Sequence, residues 1–150
     1  MKRILFISML CVQCAVYAQQ RVSIDQLIGT KWKEQNTEEG RGYVAAKSYL
    51  SFTEDSLKMQ TVEKKRKRDF VRLYYLSDTL EEEFDFERVG QKGQHGKYII
   101  EYISSQLGNR VHRFVVEKLT ADSLVIKGVP LEDTIGGAGT HRHKRIKKGR

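Results

Sequence analysis

The sequence predicts an all-β domain, a barrel or a sandwich, on three observations. Eight short segments favour strands, near 30–36, 46–53, 56–63, 69–76, 82–88, 97–103, 110–118 and 123–128. Turn signals separate them at the spacing that sandwiches and barrels show. The chain of 150 residues holds a single proline, Pro130, and it falls just past the last segment, where it costs no ladder bond.

The first eighteen residues stand apart from this pattern. Lys2 and Arg3 precede an apolar run from Ile4 to Val16, and Val16-Tyr17-Ala18 places small residues where a signal peptidase reads them. Charge, apolar run and small residues in that order predict a cleavable secretory signal, and hence an exported protein, periplasmic or secreted. The run is too short for a spanning helix, which needs about 20 apolar residues, so no transmembrane segment is expected once the signal is removed. Lipid attachment is disfavoured because Leu10 and Gln13, not small residues, precede Cys11 and Cys14. These are the only two cysteines, so the exported chain has no disulfide and its fold rests on its core.

Charge divides unevenly. The formal net charge is +8, from 27 basic and 19 acidic side chains, yet residues 19–140 carry equal numbers of each. The surplus beyond the signal lies in Arg142, Lys144, Arg145, Lys147, Lys148 and Arg150. Gly136-Gly137-Ala138-Gly139 followed by these cations cannot bury a face, which predicts a flexible basic tail over 131–150. Such a tail could meet an anionic surface electrostatically. The balanced body argues against specific nucleic-acid binding.

After the signal, Ser23-Ile24-Asp25-Gln26 fits a capping box and predicts a short helical turn that Gly29 stops. Leu50 and Phe52 then share one face; Leu57, Met59 and Thr61 oppose Lys58 and Gln60. Phe84 and Phe86 alternate with Glu83, Asp85 and Glu87. Tyr98, Ile100 and Tyr102 oppose Ile99, Glu101 and Ile103, and Leu124 and Ile126 oppose Val125 and Lys127. A period of two is what a half-buried sheet requires. The segment 69–76 is apolar on both faces, which fits a closed barrel packed by its neighbours or used as an interface. Thr53-Glu54-Asp55-Ser56-Leu57 and Thr120-Ala121-Asp122-Ser123-Leu124 spell one turn, T-x-D-S-L, used twice.

Leu27-Ile28-Gly29-Thr30-Lys31-Trp32-Lys33 resembles the opening of a lipocalin-like domain, in which a short helical turn precedes a Gly-x-Trp motif on the first strand. Here two residues separate Gly29 from Trp32 instead of one. The resemblance covers most of residues 22–128 and implies an eight-stranded antiparallel up-and-down barrel over 19–130. In it Trp32 plugs the closed end, and a late-strand arginine stacks on that tryptophan. Arg113 is the candidate by position.

The inward side of such a barrel would be lined by Phe52, Met59, Tyr75, Phe84, Phe86, Tyr98, Tyr102 and Phe114, the expected ligand-binding residues. Tyrosine hydroxyls carried inside need partners, since an unpaired buried polar group costs roughly 1–3 kcal/mol. They either bond one another and trapped water or line a cavity for an amphipathic molecule, and small barrels are more often filled by their own side chains. The basic run Lys64–Arg68 reads as a solvated hairpin tip, partly neutralised by Glu81, Glu82, Glu83, Asp85 and Glu87. Gly90, Gly93 and Gly96 do not make a phosphate-binding fingerprint. His141 and His143 could hold a metal only if something oriented them, and His95 and His112 are lone histidines. No nucleophile elbow or zinc-type motif is present. The expectation is therefore a non-catalytic binder of a small apolar or amphipathic ligand, with no metal and no cofactor. The alternative is a protein-interaction barrel, such as an exported protease inhibitor or an envelope assembly component.

Overall fold

The computed structural model describes residues 19–35, 47–130 and 139–147. The expected export signal at 1–18, the start of the expected tail at 131–138 and its last three residues lie outside them. The strands are β1 (Val22–Ser23), β2 (Lys31–Glu34), β3 (Lys47–Phe52), β4 (Ser56–Glu63), β5 (Arg66–Ser77), β6 (His95–Gly96), β7 (Tyr98–Ile103), β8 (Arg110–Leu119), β9 (Ser123–Gly128) and β10 (Thr140–Arg145). Eight of them close into an antiparallel barrel in the order β10-β2-β3-β4-β5-β7-β8-β9, while β1 and β6 pair as a small separate ribbon.

Ladder register fixes which side chains point inward. Trp32 lies opposite Leu50, Leu50 opposite Met59, and Phe52 opposite Leu57. Leu57 faces Arg72, Leu76 faces Ile99, and Val116 faces Ile126. Cross-strand partners share a face, so one continuous set of inward residues runs round the barrel. Its apolar members, with Val22, Ile24 and Leu27 from the entry turn, make the core.

Two short turns, both predicted from the sequence, lie at one end. In both T-x-D-S-L segments the threonine N–H donates to the serine carbonyl at 2.8 Å, Thr53 to Ser56 and Thr120 to Ser123. The serine N–H in turn donates to the threonine hydroxyl, at 3.0 and 3.1 Å. The capping box forms: Ser23 N–H donates to Gln26 Oε1 at 2.8 Å, and Asp25 N–H to Ser23 Oγ. What it caps is a single 3-10 turn, Ile24–Gln26, and Gly29 leaves it at φ +72°. Ile24 and Leu27 thereby drop onto the barrel end beside a fully buried Trp32. The indole N–H donates to Thr30 Oγ1 at 2.7 Å, and that hydroxyl donates to the Leu27 carbonyl. The buried tryptophan thus has no orphan polar atom.

Three expectations are corrected. Residues 82–88 are not a strand; they lie in a loop over 78–94 that contains a 3-10 turn, Phe86–Arg88, capped by the Asp85 carboxylate. Their alternation is real, but acidic residues suit a turn better than a ladder. The eighth strand is β10 instead, within the segment expected to be a flexible tail. His141 and His143 turn inward opposite Ile126 and Leu124, and the backbone bonds β9 on one side and β2 on the other. Counting charge hid this strand, because its buried face is imidazole. Finally, the guanidinium over Trp32 belongs to Arg145, 5.8 Å from the ring centre. Arg113 points outward, where it donates to the carbonyls of Glu81, Glu82 and Val111.

Candidate functional site: the open half of the barrel

Going from the capped end toward the β4–β5 and β7–β8 hairpins, the inward residues change character. Trp32, Leu57, Tyr74, Leu76, Ile99 and Leu124 are sealed, all at 0 % exposure. Farther along the same faces Met59, Ile103 and Phe114 are half-buried, and Phe70 is 44 % exposed. Inward residues that solvent reaches mark a mouth.

Charged side chains line the same half. Arg72, opposite Leu57 on β4, donates through Nη1 to Glu101 Oε2 at 2.8 Å, and its Nη2 lies 4.0 Å from Met59 Sδ. Glu101 sits between Ile99 and Ile103 on the inward face of β7 and is 2 % exposed. Burial pushes its carboxyl above the ordinary range, and Arg72 draws it part of the way back. Across the β2–β10 seam, Glu34 Oε1 and His141 Nδ1 are 2.8 Å apart. That contact holds the Glu34 carboxyl below its usual range and raises the imidazole. His143 and His112 are lowered, chiefly by burial, and so favour the neutral form. Arg72 Nε and His143 Nδ1 are both buried without a partner among the described residues. Among those residues no three His, Cys, Asp or Glu side chains are placed to share a metal ion.

The expected ligand-lining residues scatter to three places. Met59 and Phe114 do face the lumen, the latter with its ring centre 6.2 Å from that of His141. Phe52 faces inward too, but deep at the capped end, edge-on to Tyr74 at 5.5 Å. The others are outside. Tyr75 pairs with Ile100, Tyr98 with Val115 and Tyr102 with Leu73, all on the outer wall. Tyr75, Phe84, Phe86 and Tyr102 form one aromatic cluster there, with ring centres 4.9–5.2 Å apart. The Arg88 guanidinium lies 4.4 Å over Tyr75. Among the described residues the inward tyrosine is Tyr74, whose hydroxyl donates to the Thr53 carbonyl at 2.7 Å.

Arg72, Glu101, Glu34, His112, His141 and His143 were not anticipated as a group. The signal was legible in one place, since Glu101 shares a face with two isoleucines. Charge alone had argued that face outward.

Comparison of the chain with protein-family models, with curated protein sequences and with solved structures finds no match in any of the three.

Proposed function

We propose that the chain is an exported, lipocalin-like barrel that binds a small amphipathic molecule in its open half, without catalysis. One observation carries the reading: solvent reaches Met59, Phe70, Ile103 and Phe114 although the ladder turns them inward, while the other end is sealed. An apolar tail would lie against these side chains. A polar head would meet Arg72 Nε and His143 Nδ1, buried groups with unspent hydrogen-bonding capacity. Ligand sites of this kind combine apolar lining with a few placed polar groups. Arg145 over Trp32 supports the lipocalin type, in which a late-strand arginine stacks on the plug tryptophan. A binder is favoured over an enzyme because the two lumen carboxylates, Glu101 and Glu34, are each held by a partner, Arg72 and His141.

A protein-interaction barrel is the second reading, favoured by Phe86, which stands 56 % exposed on the outer wall beside Tyr102. Titration of a fluorescent long-chain fatty-acid analogue separates the two. The expected result is saturable binding that Met59→Trp weakens at least ten-fold and Phe86→Ala leaves unchanged. No saturable binding, or loss with Phe86→Ala alone, overturns the ligand reading. Export is tested by intact mass of the exported protein, expected to begin at Gln19.

A further inference from the structure

The outer wall formed by β9, β10, β2 and β3 carries charge of one sign. Register places eleven side chains outward on these adjacent strands. Lys31, Lys33, Lys47, Lys127, Arg142 and Lys144 are six of them, all exposed. The other five are Ser, Thr, Tyr or Val, so no acid interrupts the set. Lys33 and Lys144 stand directly opposite each other in the ladder, an arrangement that destabilises a sheet unless something neutralises it. With strands about 4.8 Å apart and alternate residues about 7 Å apart, each cation has a like neighbour within about 5–9 Å. That spacing is close to the screening length of about 8 Å at physiological salt, so neighbouring cations act together.

We propose that this wall docks on an anionic lipid surface. The reading is independent of the ligand site, which opens at the end of the barrel and not on its side. The shape of the patch argues for a surface rather than a polymer. Its cations spread over four strands as a two-dimensional grid. Five of the six are lysines, compact point charges without the planar fork that reads phosphate or base edges in fixed geometry. Its one aromatic, Tyr49, is covered by Lys31 Nζ at 5.3 Å and offers no stacking platform for bases. The cations of β10 belong to this wall, set in a strand, and do not act as a loose tail. The basic hairpin Lys64–Arg68 lies elsewhere, at the mouth.

The test is co-sedimentation of the protein purified from the exported fraction with phosphatidylcholine vesicles, with and without 30 % phosphatidylglycerol. Binding is expected only with the anionic lipid and should fall steeply with salt. Replacing Lys31, Lys33 and Lys144 with Gln should lower the partition coefficient about a hundred-fold, since each cation near such a surface contributes separately. Melting curves establish that the variant is folded. Replacing Lys64, Lys65 and Lys67 with Gln removes the same charge from the hairpin and should change binding by less than three-fold. The proposal is overturned by no wild-type binding to anionic vesicles, or by a hairpin variant that loses as much as the wall variant. It is equally overturned if single-stranded DNA or a sulfated polysaccharide binds through the wall while vesicles do not.

Discussion

The two sides of the barrel wall are built on opposite terms. Toward the capped end of β5, β7 and β8 the outward residues Tyr75, Ile100 and Val115 are at 0 %, 0 % and 6 % exposure. The 78–94 loop lies over Tyr75, with the Phe84 ring centre 5.0 Å from its own, the Asp85 N–H donating to its hydroxyl and the Arg88 guanidinium over its ring. The loop is pinned by Arg113 to the carbonyls of Glu81 and Glu82, by Gln94 Oε1, which accepts from Leu76 N–H at 2.9 Å, and by Arg88 bridging Glu81 to the Leu76 carbonyl. On β9, β10, β2 and β3 six of the eleven outward residues are cations, and all six are exposed. One wall is a second, smaller core; the other is a bare charged surface. The inner face is common to both, so the difference teaches that the barrel's stability comes from one and a half layers, unequally distributed.

Tyr75→Ala and Tyr49→Ala give the sharpest contrast. Tyr75 is sealed beneath the loop, and its removal should cost about 3 kcal/mol, at the low end for buried aromatics. Tyr49, on the bare wall, should cost less than about 1 kcal/mol. Urea unfolding measures both, and equal losses would erase the distinction between the walls.

Gly96→Ala tests how closely the covering layer is set. A Cβ at Gly96 would fall 2.5 Å from the Ser77 backbone, so either the loop or the strand must move. The expected loss is about 1–3 kcal/mol, typical of overpacking. It should come with faster proteolysis inside 78–94 while the barrel amides stay protected from exchange.

The seam within the charged wall titrates. His141 is raised by Glu34, so its contribution to stability is complete below its unfolded value near 6.5 and is lost as pH climbs through its higher folded value. Glu34 is lowered, so its contribution is complete above its unfolded value near 4.5 and is lost as pH falls through its lower folded value. The pair therefore helps most between about pH 4.5 and 6.5. His141→Gln should cost up to about 1 kcal/mol near pH 5.5, a modest figure because the pair is partly exposed. The cost should fade by pH 8.5. A cost independent of pH would mean that His141 acts by packing alone.

The smallest effect is at Lys144. Lys144→Glu replaces a like-charge pair with an opposite one against Lys33, and should raise stability by a few tenths of a kcal/mol at low salt. The gain should vanish in 1 M salt, where screening reaches about 3 Å. On the covered wall a surface charge change of the same size should have no such salt dependence.

Most of the barrel could be read from the chain. Alternation placed Leu50, Phe52, Leu57, Met59, Leu124 and Ile126 on their true faces, and the repeated T-x-D-S-L segment is a turn both times, as its residues predict. The covered wall is why the rest failed. From Tyr74 to Ser77 the strand is buried on both sides and has no polar face, so alternation does not orient 69–76, and the tyrosine expected inward, Tyr75, faces out while its neighbour Tyr74 faces in. Phe84 and Phe86 cover that wall from outside, which gave their segment the alternation of a strand. The site was hidden for a different reason. Arg72 and Glu101 are read singly as solvated charges; only the β5–β7 register brings their ends together inside the barrel. His141 and His143 were masked by the cations beside them, which the wall displays outward.

The seam between β2 and β10 joins Trp32 to Arg145 across more than a hundred residues of intervening chain. Contacts of such separation form late, because the entropy of closing a long loop comes due before the contact gives anything back. The meander from β3 to β9 can assemble from neighbour to neighbour, each strand meeting the one made just before it. The cylinder, however, stays an open sheet until its final strand arrives, and until then Trp32 lacks one side of its cage. In refolding, the fluorescence of this lone tryptophan should therefore report the slowest phase, after most backbone amides are already protected. A chain interrupted before residue 140 would keep two unpaired strand edges, and such edges are the usual route to aggregation.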